Sequence, residues 1–202
     1  MKGLLLKDWY TLIKQMKIML MLMLVFACVP GYSMAAFAVV YAAMLPVTAL
    51  AYDERSKWNQ LAAMMPYTSQ SIVGSKYALG LLLIGSISLL SAASQVVVSV
   101  VQHVPLNTET LISIPLVACG ALLMMLIDLP LMFRLGVEKG RIIYILLTCG
   151  CVTYFAMNTD DVIASLDTVS VYSALLMVLA ITIVAFVISY TISVRVYRVR
   201  RG

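Results

Sequence analysis

Apolar segments of similar length follow one another along this chain, and they constrain its fold more than any other feature. A helix needs about 20 residues to cross the hydrocarbon core of a bilayer. The chain comes close to that length in six runs, at residues 17–33, 35–51, 78–102, 111–133, 142–157 and 171–194. The sequence therefore predicts an all-α integral membrane protein with six transmembrane helices.

The overall composition indicates that this membrane domain is the whole of the chain. Of its 202 residues, 63% are hydrophobic and only 11% are charged, which is beyond the usual range of a soluble domain. No stretch of soluble composition is long enough to bury a core of its own. We expect a single transmembrane domain over residues 1–202, and any soluble chemistry that it needs must come from another chain.

Positive charges test the number of spans independently, because Lys and Arg near span ends stay on the cytoplasmic side. With six spans, the loops at 30–33, 103–110 and 158–170 share one side, and none of them contains Lys or Arg. All 14 Lys and Arg then lie on the opposite side with both termini, which predicts that the termini are cytoplasmic. The net charge of +5 follows from this topology and from attraction to anionic lipid, not from binding of nucleic acid.

A four-span alternative treats the break at Pro30-Gly31 as a re-entrant hairpin. A four-span model that deletes the turn at 30–33 would place the N-terminal lysines outside the cell, against the distribution of positive charge. The charge pattern therefore favours six spans.

The first 16 residues have the pattern of an amphipathic helix. Apolar residues recur at helical spacing, while Lys7, Lys14 and Gln15 take the other face. The apolar set is Leu5, Trp9, Leu12, Ile13 and Met16. We predict that residues 1–16 form a helix in the membrane interface, at the depth where the ring of Trp9 can anchor.

The segment YDERSKWNQLAAMMPYTSQSIVGSKY, residues 52–77, is rich in charge although it lies between two apolar runs. Its apolar residues follow the i, i+3, i+4, i+7 pattern of a single helical stripe. They are Trp58, Leu61, Ala62 and Met65. Asp53 can cap this helix, Glu54 occupies its first turn, and Pro66 ends it. The pattern predicts a short cytoplasmic helix over residues 53–65, between the second and third spans.

A second helix is predicted after the break at Pro66. Thr68 or Ser69 can cap it, and it carries Lys76 into the third span. The segment therefore consists of a helix, a break and a second helix. Such a unit can pass a mechanical displacement of the first helix to the third span.

The order of residues in this segment resembles that of the permeases of ABC type-2 exporters. The similar features are Glu54-Arg55-Ser56-Lys57-Trp58, Met65-Pro66, Ile72-Val73, Lys76-Tyr77, the opening MKGLLLKDWY and the turn Gly136-Val137-Glu138-Lys139-Gly140-Arg141. Within that superfamily, the chain is most similar to short six-span bacterial permeases. These include exporters of peptide toxins of the phenol-soluble modulin kind and permeases linked to antimicrobial-peptide resistance.

The resemblance implies that residues 53–65 form a coupling helix, which docks into a groove on a separate ATP-hydrolysing subunit. The residues implied in this contact are Asp53, Glu54, Arg55, Lys57, Trp58, Leu61 and Met65. Trp58 is the expected anchor, and Arg55 and Lys57 are its expected charged rim. An interfacial helix that packs Trp58 among lipid headgroups, without a partner protein, stays open as the alternative.

The resemblance also implies the other parts of a transporter in the bacterial plasma membrane. Two copies of a cytosolic ABC ATPase hold ATP and Mg, and a second permease chain, identical or different, completes the assembly. The implied cargo is an amphipathic or hydrophobic peptide, such as a toxin or an antimicrobial peptide. The chain itself is expected to bind no cofactor.

Enzyme motifs are absent from the sequence. It contains no Walker-type phosphate loop, no His-Glu-x-x-His zinc helix and no Gly-x-Ser-x-Gly elbow. We therefore expect a transport subunit with no catalytic residue and no metal site, and we interpret its four cysteines as small apolar residues.

Asp128 lies inside the predicted fourth span, and a carboxylate within the membrane is by default a functional candidate. It is a candidate for translocation or gating, although the nearby Pro130 break also allows a hydrated or ion-paired carboxylate. An ATP-independent carrier or channel for a hydrophobic small molecule or lipid is the alternative function. Such a protein should show several intramembrane charges or an internal repeat, and the single carboxylate without a repeat argues against it.

Overall fold

Helices account for almost all of the described part of the chain. The computed structural model describes residues 2–29, 32–65, 67–102, 108–143, 145–146 and 171–201. The helices are α1 (Lys2–Gln15), α2 (Lys17–Cys28), α3 (Tyr32–Arg55), α4 (Trp58–Met64), α5 (Ser69–Gln102), α6 (Thr108–Leu135) and α7 (Val171–Arg201). A further helical stretch covers residues 137–143. No residue within these ranges lies in a strand, so the prediction of an all-α fold is confirmed.

Four helices are long and apolar enough to cross a bilayer, which makes the chain a multi-pass membrane protein. They are Met34–Arg55, Ser69–Val101, Ile114–Leu135 and Leu175–Val199. Helices α1 and α2 meet at 90° and, taken together, can count as a fifth and broken span. Most of the predicted span at 142–157, like the turn at Pro30-Gly31, lies outside the described residues. Six spans and cytoplasmic termini therefore stay predictions.

The first predicted span, residues 17–33, is shorter in the structure. Helix α2 has 12 residues and ends at Cys28, which corresponds to about 18 Å of helix. The hydrocarbon core of a bilayer is about 30 Å thick, so α2 is too short to cross it alone. The elbow at Met16, where the chain is not helical, separates α2 from α1.

Helix α1 buries one side within the protein and leaves Trp9 and Ile13, from the predicted interfacial face, exposed. Leu4, Asp8 and Leu12 are almost fully buried, whereas Trp9 and Ile13 are exposed. The buried residues are four apart, so they share one side of the helix. That side packs against α3 and α5. The sequence analysis did not single out Asp8, because its buried partner Lys76 lies 68 residues away along the chain.

The helix predicted after Pro66 is confirmed. It is α5, which begins at Ser69 and continues without interruption to Gln102. The hydroxyl of Thr68 accepts a hydrogen bond from the backbone N–H of Ser71 at 3.3 Å. This is the geometry of a capping side chain, which satisfies one of the free N–H groups at a helix start.

The core forms where α3, α5 and α6 converge. Gly80 on α5 faces Pro46 of α3 and Met125 of α6, and a Cβ atom at Gly80 would collide with the Met125 sulfur. The absence of a side chain at this position therefore allows the three helices to approach closely. This packing positions α3 and α5 beside α1, and α3 also contacts α4.

Tyr77 joins α5 to α7. Its hydroxyl lies 2.6 Å from the Ser189 hydroxyl and 2.8 Å from the Ser193 hydroxyl. Its ring makes edge-to-face contacts with Phe186 and Tyr190, at centroid distances of 5.5 and 5.6 Å. Buried polar groups in a membrane bundle need such partners, so this contact fixes α7 against α5 close to Lys76.

Candidate functional site

Four charged side chains meet where α1, α3 and α5 come together, and we call them the charge cluster. They are Lys7 and Asp8 from α1, Asp53 from α3, and Lys76 from α5. Lys76 and Asp8 are almost completely buried, with side-chain exposures of 2% and 1%. The cluster contains two positive and two negative groups, so its formal charges cancel.

Lys76 is the centre of the charge cluster. Its ammonium group donates to Asp8 Oδ1 at 2.7 Å and to Asp53 Oδ2 at 2.5 Å. Lys7 lies at the partly exposed edge, 2.6 Å from Asp53 Oδ1 and 3.0 Å from Asp8 Oδ1. A buried ammonium is tolerated only when carboxylates compensate for the lost water. Lys76 therefore depends on Asp8 and Asp53, and through them it connects three helices.

Helix α4 is attached to the charge cluster through Trp58. The ammonium of Lys7 lies 4.3 Å from the centre of the Trp58 ring. This distance is within the range of a cation–π contact. The ring also packs against the apolar core and is only partly exposed. Trp58 thus faces inward and holds α4 to α1, which differs from the sequence-based picture of an anchor that projects toward a partner.

The start of the predicted coupling helix, residues 53–65, requires correction. Asp53 and Glu54 belong to the last turn of α3, which ends at Arg55. The chain then turns at Ser56 and Lys57, and α4 begins at Trp58 with Lys57 as its N-cap residue.

The carboxylates of the α3 end account for this difference. Asp53 cannot cap α4, because both of its oxygens accept from the lysines of the charge cluster. Lys57 has a φ of 53°, in the left-handed region, and this conformation stops α3 and redirects the chain. No side chain caps α4.

Glu54 connects the end of α3 to the helical stretch at 137–143. Its Oε2 accepts a hydrogen bond from the backbone N–H of Val137 at 2.7 Å. A carboxylate at a helix N-terminus is favoured because free N–H groups and the helix dipole both attract negative charge. Gly136 just before it has a φ of 80°, a conformation that glycine adopts without strain. Glu54 therefore positions the basic turn that the sequence analysis singled out.

The outward surface of α4 is apolar, and we call it the α4 face. Leu61, Met64 and Met65 are 49%, 85% and 39% exposed, and Arg55 and Lys57, which precede α4 in the chain, are also exposed. Ala62, on the opposite side, is fully buried. Of the predicted residues, Leu61 and Met65 lie on this surface, whereas Trp58, Asp53 and Glu54 make contacts with the rest of the protein.

Met64 is the most exposed residue of the α4 face, and the sequence analysis missed it. The apolar stripe was read from Trp58 at i, i+3, i+4 and i+7, and this pattern passes over position 64. The available signal was the pair Met64-Met65 just before Pro66, since two adjacent residues of a helix cannot both face its core.

Asp128 lies on α6 and is 5% exposed. It lines a cavity of about 920 Å³ between the α1–α2 elbow, α3, α6, Arg141 and Ile145. The structure therefore separates Asp128 from the α4 face instead of joining them in one site. Among the described residues, no group of three or more His, Cys, Asp or Glu could hold a metal ion.

Comparison with known proteins adds to this geometry. Residues 3–198 match the family described as ABC-2 family transporter protein. The chain belongs to the ABC-2 transporter family. This ABC-2 protein is therefore a membrane-embedded permease subunit, the part of an ABC transporter that associates with an ATPase subunit, and the predicted resemblance is confirmed at that level. No curated protein and no solved structure matches the ABC-2 permease.

Proposed function

We propose that this ABC-2 permease exports amphipathic or hydrophobic peptides and takes its energy from a separate ATPase through α4. Two ATPase copies hold ATP and Mg and act on two permease chains, identical or different. In the bacterial plasma membrane, the permease keeps its termini and α4 on the cytoplasmic side. The observation that carries the proposal is the exposed α4 face, mounted on the charge cluster of a chain from this family.

In this proposal the α4 face is the surface that the ATPase contacts. Leu61, Met64 and Met65 supply apolar area that a groove of the partner can bury, and burial of apolar area stabilises the association. Arg55 and Lys57 form the charged rim, which sets orientation and the rate of encounter. Trp58 contributes from the inside, because its contact with Lys7 keeps α4 in position.

The charge cluster passes the motion of α4 to the spans. A displacement of α4 acts on Lys7 through Trp58, and on α3 through the short turn at Ser56 and Lys57. Lys76 transfers it to α5, because breaking its buried ion pairs would cost more than moving the helix as a unit. Tyr77 then couples α5 to α7. Rigid-body tilting of the spans opens and closes the path for cargo.

Amphipathic peptides are the proposed cargo, on the basis of the resemblance to short peptide-exporting permeases and of the apolar character of the spans. The four helices that can cross the bilayer have mean hydropathies of 2.0 to 2.6. A path between such helices suits molecules that already partition into lipid, because it offers few partners for charged groups.

Purification of the chain from its native host tests the proposed function. We expect an ATP-binding subunit to accompany it in equal amounts, and an amphipathic peptide to stimulate ATP hydrolysis by the complex. A scrambled peptide of the same composition, without an apolar face, is the control and should not stimulate. Movement of the peptide into vesicles that contain only this chain, without nucleotide, would contradict the proposal and favour the ATP-independent carrier.

A further inference from the structure

The cavity beside the α1–α2 elbow is not used by the mechanism above. Its volume of about 920 Å³ falls in the range of sites for small molecules, roughly 300–1,000 Å³. Its walls come from the elbow, α3, α6, Arg141 and Ile145. These elements meet where α1, the helix predicted to lie in the membrane interface, joins α2.

The walls of the cavity are mostly apolar. Ile18 and Met19 line it from α2, Met44 and Leu45 from α3, and Met132 from α6. Ile18, Met19 and Met44 are also exposed, so the cavity is open along the side that α2 and α3 present. Unbranched methionine side chains adapt to flexible chains. This wall therefore suits an alkyl chain that enters from the bilayer.

Basic side chains surround the entrance of the cavity. Lys14 and Lys17 flank the elbow, and Arg141 stands on the 137–143 segment. All three are exposed. Basic residues at this level of a membrane protein attract lipid phosphates, and an arginine can hold a phosphate with two parallel hydrogen bonds. The entrance therefore favours an anionic group.

Asp128 supplies the opposite charge inside the cavity. Its side chain is more than nine-tenths buried, and its Oδ1 accepts no hydrogen bond from any residue that the structure describes. A buried carboxylate oxygen without a donor is costly, so its position calls for a cation or a strong donor. Asp128 lines the same cavity as the three basic residues, and a ligand that carries both charges can satisfy both.

We propose that this cavity binds a phospholipid whose headgroup carries a primary ammonium group. The phosphate lies among Lys14, Lys17 and Arg141, the ammonium donates to Asp128, and an acyl chain follows the methionine-rich wall into the bilayer. An anionic headgroup without an amine offers no donor to Oδ1 of Asp128 and competes with this carboxylate for the positive charge of Arg141. A trimethylated amine has no N–H to donate. The site does not depend on the proposed export function, because no step of it requires the ATPase or a peptide.

Binding of short-chain lipids to the purified full-length chain, without ATPase, tests this site. Phosphatidylethanolamine and phosphatidylcholine with the same acyl chains differ only in the amine. We expect the wild-type chain to bind phosphatidylethanolamine about tenfold more tightly or better, which is the value of a charge-assisted hydrogen bond to a buried carboxylate. The Asp128→Asn variant keeps the side-chain volume and should lose this preference, leaving the two affinities within about twofold.

Two further variants separate the parts of the site. Lys17→Gln should weaken the binding of both lipids by a similar factor, because both lipids carry the phosphate. Glu138→Gln changes a carboxylate that does not line this cavity and should leave both affinities unchanged. Equal binding of the two lipids by the wild-type chain, a preference that survives Asp128→Asn, or tighter binding of phosphatidylglycerol would overturn the proposal. None of these results bears on coupling to the ATPase.

Discussion

Replacing Lys76 with methionine is expected to destabilise the protein by about 3–5 kcal/mol, the cost of removing one partner from a buried ion pair. The substitution keeps the length of the side chain but leaves Asp8 and Asp53 close together, with only the partly exposed Lys7 between them. Thermal unfolding of the purified chain in detergent measures the effect, and a fall in Tm on the order of 10 °C is expected. Lys139→Met, at an exposed lysine, is the control and should change Tm little.

A second substitution distinguishes the loss of charge balance from the loss of packing. In the double variant Lys76→Met with Asp8→Asn, one positive and one negative group are removed together, and Lys7 still pairs with Asp53. We expect the double variant to be more stable than Lys76→Met alone by about 1 kcal/mol or more, because residues in one ionic network do not act additively. A double variant that is less stable than the single one would contradict the assignment of Lys76 as a compensating charge.

Placing carboxylates on the α4 face should abolish association with the ATPase. Leu61→Asp with Met64→Asp changes two exposed residues, so it should leave the fold and Tm largely intact. If both side chains are buried against the partner, the variant should lose about 3 kcal/mol or more of binding free energy, which is roughly a hundredfold in Kd. Co-purification of the ATPase and its titration with the purified variant measure this loss.

A conservative pair of substitutions is the matched control for the α4 face. Leu61→Met with Met64→Leu keeps the apolar area and similar volumes, and it should retain the ATPase. Unchanged association of the Asp variant would show that α4 is not the contact surface. It would leave the interfacial role, with the helix among lipid headgroups, as the better account of α4.

The helical, membrane-spanning character of the chain is the part of the fold that the sequence predicts best. Apolar runs identify α3, α5, α6 and α7, because burial in lipid imposes the same requirement along the whole length of a helix. The break between α1 and α2 at Met16 falls where the predicted interfacial helix, residues 1–16, meets the predicted span at 17, but the 90° angle between the two helices was not predicted. Nothing near Met16 resembles a helix breaker, and the bend depends on how the two helices pack against α3 and α5.

The charge cluster could not be predicted from the sequence, for a different reason. Lys7, Asp8, Asp53 and Lys76 are each identifiable as charged residues near span ends, yet their sequence separations of 46 and 68 residues hide the pairing. Local rules even favoured a wrong role. An Asp followed by a Glu before an apolar stripe is the pattern of a helix start, but at Asp53 the tertiary partners decide that it closes α3.

The error in the start of α4 also led to a wrong prediction of the direction in which Trp58 points. Starting the helix at Asp53 made Trp58 its central residue and turned it toward a partner, whereas the observed start at Lys57 and Trp58 turns the ring toward Lys7. The residue types were identified correctly, and most of the predicted contact set lies on or directly behind the α4 face. The structure was needed to show which residues of this set face outward and which face the rest of the protein.

Crosslinking from the α4 face is the most direct measurement of the central claim, that an ATPase pushes on this helix. A photo-crosslinking amino acid at position 64, the most exposed point of the face, is compared with one at position 82, which is exposed on the apolar surface of α5. We predict that illumination of the native complex joins position 64 to the ATPase and that position 82 gives no such product. A complex that retains its ATPase but shows no crosslink from position 64 would contradict the account.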